Sequence, residues 1–196
     1  MGRKSKAAVR KREILEHFYN ILKEEGLEKA SIAKVAKRMA VNPSLLIHYF
    51  KTKEAMTVAF VTHLLERYET NIKAVLSSPN YPKEQFETVL DNLFHEDWLH
   101  FSEPSVFYAF YYLSIRHETI RHQFQAFYLR LRTLLLSQVR YWIEVGIIHD
   151  QDPHQVVEYL IITNKGLLYY DQMMQDKVGF KNRAHYLKAA VRKVLL

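Results

Sequence analysis

Apolar residues recur three and four positions apart along almost the whole chain, and short polar breaks divide that pattern into segments of helical length. Ile14, Phe18, Ile21 and Leu22 form one stripe and predict a first helix from about Val9 to Glu25, which Gly26 ends by admitting a left-handed backbone. Ile32, Val35, Ala36 and Met39 form a second stripe, capped by Ser31. Asn42 caps a third helix with Pro43 in its first turn and Leu46 and Phe50 turned inward. Thr52 offers a cap to a fourth, running through Met56, Phe60, Leu64 and Tyr68 to about Leu76, where Ser77-Ser78-Pro79-Asn80-Tyr81-Pro82 breaks it. Further helices are predicted over 83–101, over 104–145 with a break near Arg116-His117-Glu118, from the Asp152-Pro153 cap to about Asp176, and from Asn182 to Leu196, with Val178-Gly179 between the last two. No period-two strand and no glycine-rich phosphate loop stands out, so the expectation is an all-α protein of about nine helices.

The second and third helices are short and meet at Ala40-Val41-Asn42. That spacing matches a helix-turn-helix, whose second helix enters the major groove of DNA. Charge sharpens the picture. Residues 1–53 hold 13 Lys/Arg against 5 Asp/Glu, a net +8, whereas residues 54–196 hold 15 against 16. A basic segment on a near-neutral body is the electrostatic footprint of a domain that docks on phosphates. The stretch Met1–Ala8, with Arg3, Lys4 and Lys6 and no apolar periodicity, is expected to be a disordered basic arm.

The 196 residues suffice for one domain or one with a small appendage. No apolar run spans a membrane and no signal-type apolar block follows the charged start, and the absence of cysteine excludes disulfides and thiol catalysis and fits a reducing cytosol. Two stretches carry histidines five apart, His95 with His100 and His117 with His122. On one helix that spacing sets them about 140° apart around the axis, too far for a shared metal, so neither metal nor cofactor nor enzymatic chemistry is expected.

Helix count and motif together resemble the TetR family of bacterial transcriptional regulators. The resemblance rests on Gly26, on Ser31-Ile32-x-x-Val35-Ala36, on Val41-Asn42 and on Tyr49-Phe50-x-x-Lys53-Glu54, and covers residues 9–60. The turn glycine is replaced by Ala40, the usual serine cap by Asn42, and a tyrosine that family members place on phosphate by Ile47. The resemblance implies a three-helix DNA-binding domain at 1–52 and a helical ligand-sensing and dimerisation domain at 53–196. Asn42, Pro43, Ser44, Leu45 and His48 would then face base edges, with Leu45 suited to a thymine methyl, while Tyr49, Lys51, Thr52 and Lys53, with Ser31 and Lys34, would hold phosphates.

Residues 98–128 are rich in rings, and a cavity of rings with a few polar tips is what a small-molecule site looks like. The expected lining is Trp98, Phe101, Tyr108, Tyr111, Tyr112, Phe127, Tyr128 and Asn164, the last a polar residue on a face shared with Val157, Ile161 and Leu168. The last two helices carry apolar residues on more than one face, among them Leu160, Leu167, Tyr170, Met173, Leu187, Val191 and Val194, and Gly166 would permit close approach of a second copy. The expected function is that of a cytoplasmic homodimeric repressor, released from a palindromic double-stranded DNA operator by a small-molecule effector, the fourth helix carrying the shift. The competing expectation is a structural or nucleoid-type DNA-binding protein on the same fold without an inducer.

Overall fold

The computed structural model describes residues 3–77, 81–95 and 103–196. These residues form nine helices and no strand: α1 (Arg3–Lys29), α2 (Ile32–Arg38), α3 (Pro43–Phe50), α4 (Lys53–Leu76), α5 (Pro82–Leu93), α6 (Pro104–Arg116), α7 (Glu118–Glu144), α8 (Pro153–Met174) and α9 (Lys177–Leu195). The all-α expectation holds, as does the break between Arg116 and Glu118. Three boundaries differ. Helix α1 begins at Arg3 rather than Val9, because Arg3, Lys4, Lys6, Ala7 and Ala8 are strong helix formers that extend the amphipathic segment without needing a core contact. Helix α5 closes at Leu93, short of residue 101. The last two helices part at Gln175, which takes a left-handed backbone (φ 48°), and not at Val178-Gly179, which lie inside α9. The Asp176 carboxylate accepts from the Gly179 N–H at 3.0 Å, so a strong cap three residues upstream overrides the glycine as a breaker.

The chain forms two compact units, one of Met1–Tyr68 with Ser102–Ala126 and one of Glu69–Phe101 with Phe127–Leu196. In the first unit, Ile14, Phe18 and Leu22 of α1 are buried with Val35 and Ala36 of α2, Leu46 and Phe50 of α3, Met56, Phe60 and Leu64 of α4, and Phe107 and Phe110 of α6. Its rings interlock edge to face, Phe18 on Phe60 at 5.4 Å and Phe107 on Phe124 at 5.8 Å. Glu16 of α1 meets His63 (2.9 Å) and Arg67 (3.3 Å) of α4.

In the second unit, Phe86 of α5 packs edge-on against the fully buried Trp142 of α7 at 5.2 Å. The buried Gln85 amide donates to the Leu76 carbonyl at 2.7 Å and its oxygen accepts from Gln138 at 2.7 Å, so the polar group is satisfied inside an apolar layer. Asp91 and Glu87 of α5 pair with Lys188 and Arg192 of α9. Glu69 bonds Lys73 at 2.8 Å and Arg130 at 2.7 Å, and these two cations, Lys73 first, hold its carboxyl below the ordinary glutamate value of 4.5.

Two predictions follow from this framework. Ala40 occupies a left-handed backbone (φ 53°) that penalises a β-carbon, so Ala40→Gly raises stability by about 0.5–1 kcal/mol in denaturant titration. Because the folded-state pKa of Glu69 is depressed, its contribution is present above the unfolded value and is lost as pH falls through the folded one. Glu69→Gln therefore lowers stability at pH 7 by up to about 1 kcal/mol and flattens the acid limb of a stability-against-pH curve.

Candidate DNA interface

Local chemistry sets the helix-turn-helix. The Ser31 hydroxyl accepts from the Lys34 N–H at 3.2 Å and opens α2. At the other end of α2 the Ala40 N–H reaches the Lys37 carbonyl (3.1 Å) and the Val41 N–H the Ala36 carbonyl (3.0 Å), the paired bonds of a left-handed helix stop. That stop turns the chain into Asn42, whose Oδ1 accepts from the Ser44 N–H at 2.9 Å, and Pro43 supplies the first turn of α3. The Thr52 hydroxyl accepts from the Ala55 N–H at 3.0 Å and opens α4.

Leu46 and Phe50 point inward, which fixes the outward face of α3. At about 100° per residue, Pro43 and Ile47 make one outward column and Ser44 and His48 the next, and all four are exposed. Asn42 is exposed at the start of this face, its oxygen used in the cap and its amide hydrogens left as donors. Leu45 and Tyr49 are half-buried on one flank, and the Tyr49 ring meets His48 edge-on at 5.5 Å. Sequence reasoning gave Ile47 no DNA role, although it is 50% exposed. Its phase relative to Leu46 and Phe50 is the signal that reveals it.

The expected phosphate contacts divide. Lys51 ends α3 exposed, with φ 63°, and Thr52 is exposed beside it. The Lys53 ammonium instead donates to the carbonyls of Leu27 (3.0 Å) and Glu28 (3.4 Å), closing the final turn of α1. Lys34 pairs with Glu25, and Arg38 makes a two-pronged bond to Glu24 at 2.6 and 2.8 Å, which holds the Glu24 carboxyl below its usual range. Lys37, exposed on α2, has no acidic partner among the described residues.

The residues of the expected ligand lining fall in both units. Trp98 and Phe101 lie outside the described residues. Tyr108, Tyr111 and Tyr112 belong to the first unit, where Tyr108 meets Phe107 at 5.6 Å, Tyr111 meets Phe124 at 6.2 Å, and Tyr112 is 60% exposed with Arg116 over its ring. Phe127, Tyr128 and Asn164 belong to the second unit. There Phe127 is buried against Tyr128, and the Asn164 amide donates to the Leu93 carbonyl at 2.6 Å, so its partner is the open end of α5. A cleft of about 180 Å³ in the first unit is lined instead by Leu22, Gly26 and Leu27 of α1 and Val106, Ala109 and Phe110 of α6. Sequence reasoning also passed over Lys165 of α8, whose ammonium burial pushes down to about 8; it lies one residue beyond Asn164, on the half-buried side with Ile161. His117 is the cap that ends α6 and His122 lies in α7, beside Glu118 (3.5 Å) and Gln125 (3.1 Å), so that pair does not share a helix. Residues 96–100 of the other histidine stretch lie outside the described residues.

No described helix is long and apolar enough to cross a membrane. Residues 14–60 match the bacterial regulatory proteins of the tetR family, and residues 81–196 match the Tetracyclin repressor-like C-terminal domain. The HTH-type transcriptional regulator BetI of Rhizobium meliloti (strain 1021) is 24% identical over 132 residues, 67% of this chain and 65% of that protein. BetI of Yersinia pestis (strain Pestoides F) is 25% identical over 53% of each chain, so the matches span about two thirds and about half of these relatives. In fold, the chain is similar to a TetR transcription regulator from Haloarcula marismortui ATCC 43049 (TM-score 0.84, 20% identity, 96% of this chain and 100% of that one). It is also similar to a transcriptional regulator from Saccharomonospora viridis in complex with choline (TM-score 0.79, 18% identity, 96% and 98%). The C-terminal match alone takes in more than half of the sequence, and with the helix-turn-helix that precedes it the chain belongs to the TetR family of DNA-binding transcriptional regulators.

Proposed function

We propose that this regulator is a cytoplasmic homodimeric repressor that leaves a palindromic operator when a small molecule binds its helical body. The supporting observation is the outward face of α3, exposed on a segment of net charge +8. Asn42, Pro43, Ser44 and His48 meet base edges, with the half-buried Leu45 at their flank. Tyr49, Lys51 and Thr52, together with Ser31 at the start of α2, meet phosphates. Lys34 and Lys53 act mainly through the carboxylate and carbonyls they already hold, shaping the surface that the others use.

Dimerisation is assigned to the outer side of α8, where Ile162, Gly166, Tyr169 and Met173 recur at helical spacing. Ile162 is 66% and Met173 64% exposed, and a β-carbon on Gly166 would meet open space, so a partner helix can approach closely. A small organic cation is the effector class to test first. The Saccharomonospora viridis regulator was solved with choline, and rings such as Tyr108 and Tyr111 of the first unit suit a quaternary ammonium. The satisfied Asn164 amide favours the second reading, a DNA-organising protein without an effector.

Three outcomes are expected. Lys51→Ala lowers affinity for all DNA sequences alike and reduces the salt slope of binding by about 1 with no change in thermal stability, whereas Lys53→Ala costs about 1 kcal/mol of stability by freeing the end of α1. Ile162→Arg with Met173→Arg converts a dimer into a monomer in light scattering and weakens operator binding at least about tenfold. Choline lowers the affinity for an operator obtained by unbiased DNA selection; an affinity unmoved by choline and other small cations supports the effector-free reading.

A further inference from the structure

We infer that Ile47 is a specificity-determining residue of this regulator, reading the 5-methyl group of a thymine in the major groove. The inference rests on the proposed role of α3 as the reading helix. Leu45 was the residue expected from sequence to make such a contact, but it is half-buried on the flank of α3. Ile47 is the apolar side chain that the helix turns outward, 50% exposed one turn beyond the exposed Pro43. The adjoining column, Ser44 and His48, is polar and exposed.

The outward face is thus split lengthwise into an apolar edge and a hydrogen-bonding edge. A major groove offers one apolar feature to such an edge, the thymine methyl, while its remaining pattern is donors and acceptors. An isoleucine set against a phosphate would desolvate the charge and give no donor in return, so a backbone contact at this position is disfavoured. Set against a methyl, the same side chain loses water from apolar surface on both partners. The basic charge of residues 1–53 brings this face to DNA, and Ile47 then discriminates at one base pair of each half-site.

The test uses the full-length protein and an operator obtained by unbiased selection, with each thymine replaced in turn by deoxyuridine, which lacks only the methyl. At one thymine per half-site the replacement is expected to weaken wild-type binding about fourfold, the worth of one buried methyl, and to leave Ile47→Ala binding unchanged. Ile47→Val is expected to retain part of the sensitivity, and Ser44→Ala to retain all of it at that position. Selection repeated with Ile47→Ala is expected to lose the thymine preference there and nowhere else. Because the side chain is half-exposed, circular dichroism of Ile47→Ala should match wild type. The inference is overturned if no deoxyuridine replacement weakens the wild type, or if Ile47→Ala remains as sensitive as wild type. Specific binding that depends on Ser44 but shows no methyl effect overturns only the role of Ile47. A complete absence of sequence-selective binding overturns the reading of α3 on which it stands.

Discussion

The Lys53 ammonium holds the backbone where α1 ends, and the DNA-binding half of the first unit depends on that grip. After Gly26 (φ 82°) the carbonyls of α1 lose their helical partners, and an unpaired carbonyl there would leave the approach to Ser31 undefined. By donating to Leu27 and Glu28, Lys53 joins the end of α1 to the first residue of α4, while α2 and α3 lie in sequence between those two points. The Lys34–Glu25 and Arg38–Glu24 pairs hold α2 to the last turns of α1 in the same region. With the closing bond made, Leu46 and Phe50 have a fixed core to enter, and the opposite side of α3 faces solvent by elimination.

Much of this was legible in the sequence because it is local. Ser31, Asn42, Thr52 and Asp152 each cap the helix expected from them, and the stripe Ile14, Phe18, Ile21 and Leu22 is buried as its spacing requires. What escaped depends on residues far apart in the chain. Nothing near Lys53 in sequence announces that carbonyls 25 and 26 positions earlier will claim its ammonium. Glu24 and Glu25 read as ordinary surface acids until α2 folds back on them. The Asn164 amide is met by the Leu93 carbonyl, which lies 71 residues away, and no periodicity points to it.

The aromatic stretch shows a different limit. Helical spacing marks which rings share a face but not what fills the space in front of them. Phe107, Phe110 and Phe124 are taken up by the first unit's core, and Tyr112 stands in solvent. The boundary between α8 and α9 failed for a third reason. Glycine and an aspartate cap compete as punctuation, and the cap prevailed because Asp176 meets a free amide at Gly179, whereas the glycine there needs no special backbone.

The carboxylates of Glu24 and Glu25 also set how the protein would move among binding sites. They neutralise two of the three cations of α2, a cancellation the net +8 of the headpiece already includes, and leave Lys37 as the cation of that helix with no acidic partner among the described residues. Weak attraction to arbitrary sequence, set against base contacts that keep their full value, widens the gap between a true site and the excess of competing genomic DNA. Internal ion pairing on the flank of α2 would in this sense sharpen the contrast between a true site and bulk duplex.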